Sequence, residues 1–248
     1  MEASEKKKLI VIGNGMAGYK FCALFVENKL GAEYELVVIG EENRPAYDRV
    51  HLTNYYKGTP AEQLTLAPKE WYESNGIQLL MSELVINIDR NNKIVTTDQH
   101  RTLEYDILVI ATGSAAYMPP IDGIHKKGVF AYRKLQDLDA IKEYSKTVKK
   151  AVVIGGGLLG LEAAKALKND GLDITIVEQG QRLMVRQIDD KGAAIIHEQL
   201  ENLHIEILTG TITSEILGEE HVTGLRFCKR IDFTNRNDCN FGRGKTKR

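Results

Sequence analysis

Cysteine is scarce in this chain: Cys22, Cys228 and Cys239 are the only three in 248 residues. There is no C-x-x-C and no cysteine pair at metal-ligand spacing, which argues against structural disulfides, iron–sulfur ligation and a dithiol relay. A surplus of one charge is also missing, since 33 Lys and Arg face 34 Asp and Glu. No global field then draws nucleic acid or an anionic membrane, and any charged ligand must be held locally. Long apolar runs are absent too; the longest are strand-sized, far short of the ~20 residues of a membrane helix. Lys6-Lys7-Lys8 precedes Leu9-Ile10-Val11-Ile12 as in a signal peptide, but the apolar stretch is brief and runs straight into a glycine loop. A cytoplasmic location is the expectation. The six histidines lie scattered without partner spacing, so neither a catalytic triad nor a metal set is expected, and no residue is assigned a catalytic or metal-binding role.

What the chain does have is one signature twice. Gly13-Asn14-Gly15-Met16-Ala17-Gly18 follows the apolar run Leu9-Ile10-Val11-Ile12, and Gly155-Gly156-Gly157-Leu158-Leu159-Gly160 follows Ala151-Val152-Val153-Ile154. In G-x-G-x-x-G the first glycine permits a tight turn, the second admits a diphosphate to the backbone, and the third lets the helix pack on its strand. The diphosphate then sits at a helix N-terminus, where unpaired N–H groups and the peptide dipoles favour anions. About 20 residues on, a carboxylate is expected to read a ribose diol. After the first loop either Glu41 or Glu42 stands there, with Glu41 leaving the strand end first; after the second it is Glu178. A carboxylate at Glu178 repels a 2′-phosphate, which favours NADH over NADPH, while the nearby Arg182 keeps that choice open.

The coarse pattern is α/β: two Rossmann-like, three-layer dinucleotide-binding domains, expected at residues 1–118 and 119–227. Residues 19–29 read as the first crossover helix and 35–39 as the second strand. Residues 44–67 read as an irregular polar loop crowded with Pro45, Tyr47, Asp48, Arg49 and His51, a candidate ligand clamp. A helix is expected over 66–75. Three alternating runs, 77–80, 84–88 and 93–97, read as an antiparallel meander feeding a fully buried strand at 105–110 that ends in Ala111-Thr112-Gly113. Helices are expected at 135–145 and 192–203, and strands at 172–178 and 205–208. From Cys228 to Arg248 apolar periodicity vanishes among basic residues and asparagines, the texture of a disordered basic tail. Gly242-Arg243-Gly244-Lys245-Thr246 is not read as a P-loop, because Cys239 stands at the first glycine position and no strand precedes it.

These residues resemble the FAD- and NAD(P)-dependent reductases of the glutathione-reductase fold. More selectively, Arg44-Pro45-Ala46-Tyr47-Asp48-Arg49-Val50-His51-Leu52-Thr53, the run from Gly155 to Ala164, and Arg182-Leu183-Met184 with Gln187-Ile188-Asp189 resemble the N-terminal flavoprotein part of assimilatory NAD(P)H-dependent nitrite reductase large subunits. The resemblance spans residues 8–227. It implies FAD at Gly13, Gly15, Met16, Ala17, Gly18, Glu41 and Arg49, with Thr112 and Gly113 approaching the cofactor. It implies NAD(P)H, with NADH preferred, at Gly155, Gly157, Leu158, Leu159, Gly160 and Glu178, and Glu162 near the nicotinamide. It further implies that a hydride passes from NAD(P)H to FAD and that the reduced flavin hands electrons to an electron-acceptor protein or domain, as in nitrate assimilation. The family's second A-x-G strand, its later Gly-Asp motif and its interface domain are not visible, so both domains are expected to be incomplete and the chain to be a truncated or frame-shifted product. The alternatives are a ferredoxin- or rubredoxin-reductase-like flavoprotein, and a nucleotide-binding fragment without turnover.

Overall fold

The computed structural model describes residues 5–229. They form two compact units, with Ala115 closing the first and Ala116 opening the second.

In the first unit, β1 (Lys7–Ile12), β2 (Tyr34–Gly40), β3 (Ile77–Met81) and β7 (Ile107–Ile110) make a parallel sheet in the order β3-β2-β1-β7. Side chains alternate across a strand, so the apolar run of β1 feeds two cores. Leu9 and Val11 pack with Cys22 and Phe25 of helix α1 (Met16–Glu27), and with Tyr72 of helix α4 (Lys69–Ser74). Ile10 and Ile12 pack on the opposite face against Val95 and Leu103 of a second sheet. That sheet is the antiparallel meander of β4 (Val85–Asp89), β5 (Ile94–Thr97) and β6 (Thr102–Glu104). Helices, parallel sheet and meander give three layers. Each large aliphatic buried between them contributes about 1.5–3 kcal/mol of transfer free energy.

Several expectations need correction here. The run 77–80 is not the first strand of the meander but the edge of the parallel sheet, with Leu79 opposite Val38. The third meander strand is instead β6, whose polar ends hid it. The strand expected at 105–110 starts at Ile107 and is not fully buried: Ile110 is 64% exposed, and among the described residues β7 is the edge of the sheet. The irregular stretch 44–67 contains two short helices, α2 (Leu52–Tyr56) and α3 (Ala61–Leu64). The helix expected at 66–75 begins only at Lys69, after Pro68, whose fixed φ suits the residue leading into a helix.

In the second unit, β8 (Lys150–Ile154), β9 (Asp173–Val177) and β10 (Glu206–Leu208) form a parallel sheet in the order β10-β9-β8. Helix α6 (Leu158–Asn169) follows the glycine loop, and helix α7 (Asp190–Asn202) starts at Asp189, whose side chain accepts the Gly192 N–H. Ala164, Ile174, Ile176, Leu183, Leu200 and Ile205 share one core. Helix α5 (Leu135–Ser145) precedes β8. The chain then forms an antiparallel hairpin that the sequence reading missed, β11 (Thr211–Leu217) and β12 (Gly224–Lys229). Cys228 and Lys229 therefore belong to a strand, held by pairing with Ile212 and Thr211, and not to a disordered tail. Residues 230–248, with the rest of that expected tail and the rejected P-loop, lie outside the described residues.

Candidate functional site

The two glycine loops are built alike. Gly13 N–H donates to the Ile39 carbonyl at 2.8 Å and Gly155 N–H to the Val177 carbonyl at 2.8 Å, so each loop is tied to the end of its second strand. Gly13 (φ 109°) and Gly155 (φ 114°) adopt the positive φ that glycine alone takes readily. A Cβ on Gly18 would lie 2.0 Å from the Gly13 carbonyl oxygen, and one on Gly160 would lie 2.0 Å from that of Gly155. The third glycine of each motif is thus demanded by the chain's own packing.

The middle glycines behave differently. A Cβ on Gly15 or on Gly157 would meet nothing within 4 Å. Their backbones are extended, and as N-caps of α1 and α6 they leave the first turn of each helix without a side-chain cap. Helix starts ordinarily satisfy these N–H groups with Ser, Thr, Asp or Asn. Here both starts pair uncapped donors with open space, the arrangement that a dinucleotide's diphosphate fits. Met16, Ala17, Leu158 and Leu159 supply the first-turn backbone; their side chains are largely exposed.

The second-strand ends distinguish the loops. Register places Ile39 and Val177 in equivalent positions, which aligns Gly40 with Glu178 and puts Glu41 one residue further along. In the first unit Gly40 leaves room for Asn14: a Cβ on Gly40 would stand 3.0 Å from that of Asn14, whose Oδ1 accepts the Tyr72 hydroxyl at 3.0 Å. In the second unit the roles invert, because the loop residue is Gly156 and the strand end carries the side chain. Glu178 Oε2 accepts the Gly156 N–H at 2.7 Å, and Oε1 accepts the Gly180 N–H at 2.5 Å. Each carboxylate oxygen keeps a second acceptor site.

Glu42, the second acid after β2, is held on both oxygens: Oε1 accepts from Arg49 Nη2 at 2.5 Å and Oε2 from the Tyr47 hydroxyl at 2.9 Å. Glu41 is exposed at the strand end. Arg49 also lies over the Tyr47 ring, 5.3 Å from its centroid, so the expected clamp is a preformed trio of Glu42, Tyr47 and Arg49 that the sequence reading did not assemble. Asp48 Oδ2 pairs with His51 Nδ1 at 2.7 Å, a bond that holds the Asp48 carboxyl below the usual carboxylate range. Thr112 and Gly113 follow β7, whose end meets the first loop: a Cβ on Gly13 would be 2.3 Å from the Ala111 oxygen and 2.8 Å from the Thr112 nitrogen.

Among the described residues no such strand end closes the second loop, for a Cβ on Gly155 would meet nothing within 4 Å. Among the described residues β8 pairs only with β9, and Val152 (41%) and Ile154 (42%) are exposed. Glu162 lies in the second turn of α6, half-buried. Arg182, which left the nucleotide choice open, is committed elsewhere: Nη1 donates to the Ile188 carbonyl at 2.6 Å, Nη2 to that of Val185 at 3.3 Å, and Nε pairs with Asp190 at 2.7 Å. Among the described residues no group of His, Cys, Asp and Glu could hold a metal ion, and no helix is long and apolar enough to cross a membrane.

Known proteins share this sequence pattern and this fold. The sequence profile of the pyridine nucleotide-disulphide oxidoreductase family matches residues 7–232. The chain is 42% identical over 222 residues to the nitrite reductase [NAD(P)H] large subunit of Klebsiella oxytoca, covering 90% of this chain and 23% of that protein. It is 37% identical to the assimilatory nitrate reductase electron transfer subunit of Bacillus subtilis, covering 90% and 29%. Among solved structures, a ferredoxin reductase from Rhodopseudomonas palustris superposes with a TM-score of 0.83 at 25% identity, covering 95% of this chain and 56% of that one. The chain therefore spans about a quarter of the length of these two curated relatives.

Proposed function

The chain belongs to the pyridine nucleotide-disulphide oxidoreductase family, and from that premise we propose that it is the electron-input module of an FAD-dependent reductase. FAD takes the first glycine loop and NADH the second. The observation that carries this reading is the shared asymmetry of the loops: Gly18 and Gly160 are closed by backbone, while Gly15 and Gly157 face open space beside uncapped helix starts.

In the first unit the N–H groups of Gly15, Met16 and Ala17 bind a diphosphate, Glu41 accepts from a ribose diol, and the Glu42–Tyr47–Arg49 trio fixes the clamp loop beside it. Thr112 and Gly113 border the cofactor from the end of β7. In the second unit Gly157, Leu158 and Leu159 offer the matching N–H groups, and Glu178, already positioned by Gly156 and Gly180, accepts from the second ribose. Glu162 stands on the nicotinamide side. The preference for NADH rests on Glu178, which repels a 2′-phosphate, and on Arg182, whose donors are committed to Ile188, Val185 and Asp190. When both cofactors are bound they supply the hydride transfer, for which the protein's task is to hold, orient and shield the reacting rings.

These 248 residues contain no C-x-x-C, and Cys22 is fully buried, so no redox dithiol is assigned within them. Electrons pass instead to an acceptor protein or domain. Likeness to the nitrite reductase large subunit and to an assimilatory nitrate reductase electron transfer subunit favours an acceptor in nitrate assimilation, and likeness to a ferredoxin reductase supports a small redox protein as the second reading.

The purified chain is expected to be yellow and to bleach when NADH is added without oxygen, more readily than with NADPH. Colourless protein that fails to take up added FAD would contradict the proposal and leave a nucleotide-binding module without turnover.

A further inference from the structure

The two glycine loops solve one mechanical problem differently. The loop 13–18 is steadied by a side chain, Asn14, which packs on Gly40 and is tied to Tyr72. The loop 155–160 has Gly156 at that position and nothing of its own to grip with. It is held through the backbone instead, by two bonds of opposite sense. Glu178 accepts the Gly156 N–H at 2.7 Å, and the Met184 N–H donates to the Gly156 carbonyl at 2.9 Å. Leu183 fills the space a side chain would take, its Cδ2 standing 2.6 Å from a Cβ built on Gly156. Leu183 and Met184 are both buried, and Met184 has φ 52°, a left-handed conformation disfavoured for a residue with a Cβ.

Something must keep Met184 there, and Arg182, two residues before it, does so from three directions. Arg182 donates to the Ile188 carbonyl at 2.6 Å and to the Val185 carbonyl at 3.3 Å, and it pairs with Asp190 at the start of α7 at 2.7 Å. Its guanidinium thereby ties residues 182–190 into a closed turn that grips Gly156 at one end and abuts α7 at the other. The planar fork of arginine can serve these separate acceptors at once, whereas the compact ammonium of lysine cannot match that geometry. Resting on the functional reading above, we propose that Arg182 is a positioning residue for the dinucleotide on the second glycine loop. It acts through Leu183 and Met184 on Gly156, and so on the adjacent Gly157 amide, without touching the ligand itself.

The test compares wild type, Arg182→Ala and Arg182→Lys by titrating NADH against each chain and following exchange of the Met184 amide. Arg182→Ala is expected to weaken NADH about tenfold and to speed exchange at Met184, with FAD content unchanged. Arg182→Lys keeps the aliphatic stem and the fold, and should weaken NADH by an intermediate factor. Where a chain turns over, the loss should fall on KM and not on kcat. A folded Arg182→Ala, or a folded Arg182→Lys with accelerated Met184 exchange, that binds NADH as tightly as wild type would overturn the proposal alone. A wild-type chain that binds no NADH would overturn the functional reading and this role with it.

Discussion

Cys22 is enclosed by Leu9, Val11, Phe25 and Tyr72, and burial pushes its thiol up to about 12 from an ordinary 9.0. The unfolded chain releases this proton near its ordinary value while the native chain keeps it, so the stabilising contribution is complete below pH 9 and is lost as pH rises from 9 to 12. Unfolding free energy measured across that window should fall more steeply for wild type than for Cys22→Ala, and Cys22 should react with thiol reagents only on unfolding. Glu42 offers a second test. Its removal by Glu42→Gln leaves Arg49 half-buried without a countercharge, and should lower stability by about 1–2 kcal/mol in denaturant titration. The sequence disclosed Glu178 through its spacing from the glycines, because a ribose reader must sit at the end of the neighbouring strand. It did not disclose that Glu178 also holds Gly156, or that Glu42 rather than Glu41 pairs with Arg49; those depend on which backbone the fold brings alongside.

At the scale of elements, β1 and β8 show how much one neighbour matters. β1 pairs with β2 on one edge and β7 on the other, and β8 pairs with β9 alone among the described residues. Alternate amides of β8 should therefore exchange rapidly, while those of β1 are protected along both edges. Uniformly slow exchange along β8 would contradict this. Helix α5 starts with Asp137 accepting the N–H groups of Lys134 (2.8 Å) and Arg133 (3.2 Å), and Asp137→Ala should cost about 1 kcal/mol in a denaturant midpoint. Strands with long apolar runs, β1, β2, β8 and β9, were legible in the sequence because burial on both faces or in a tight sheet leaves little choice of residue. The assignment of 77–80 to the meander failed because a short apolar run does not reveal which neighbour it pairs with. The β11–β12 hairpin escaped for a related reason: Thr213 and Ile216 are both buried only because the register shifts between Thr213 and Glu215, so the run lacks the period-two alternation of a regular strand.

For the molecule as a whole, the claim is that each unit carries its own dinucleotide seat and that each seat fails separately. Gly18→Ala and Gly160→Ala push a methyl to 2.0 Å from a carbonyl oxygen and should destabilise their own unit by about 1–3 kcal/mol, as overpacking does. Gly15→Ala and Gly157→Ala meet no protein atom, so the fold should survive both within about 1 kcal/mol. The decisive measurement is a calorimetric titration of FAD and of NADH into wild type and these last two variants. One site for each ligand is expected in wild type, with FAD weakened at least tenfold, about 1.4 kcal/mol, by Gly15→Ala alone and NADH by Gly157→Ala alone. Unchanged binding of both ligands in both folded variants would contradict the account.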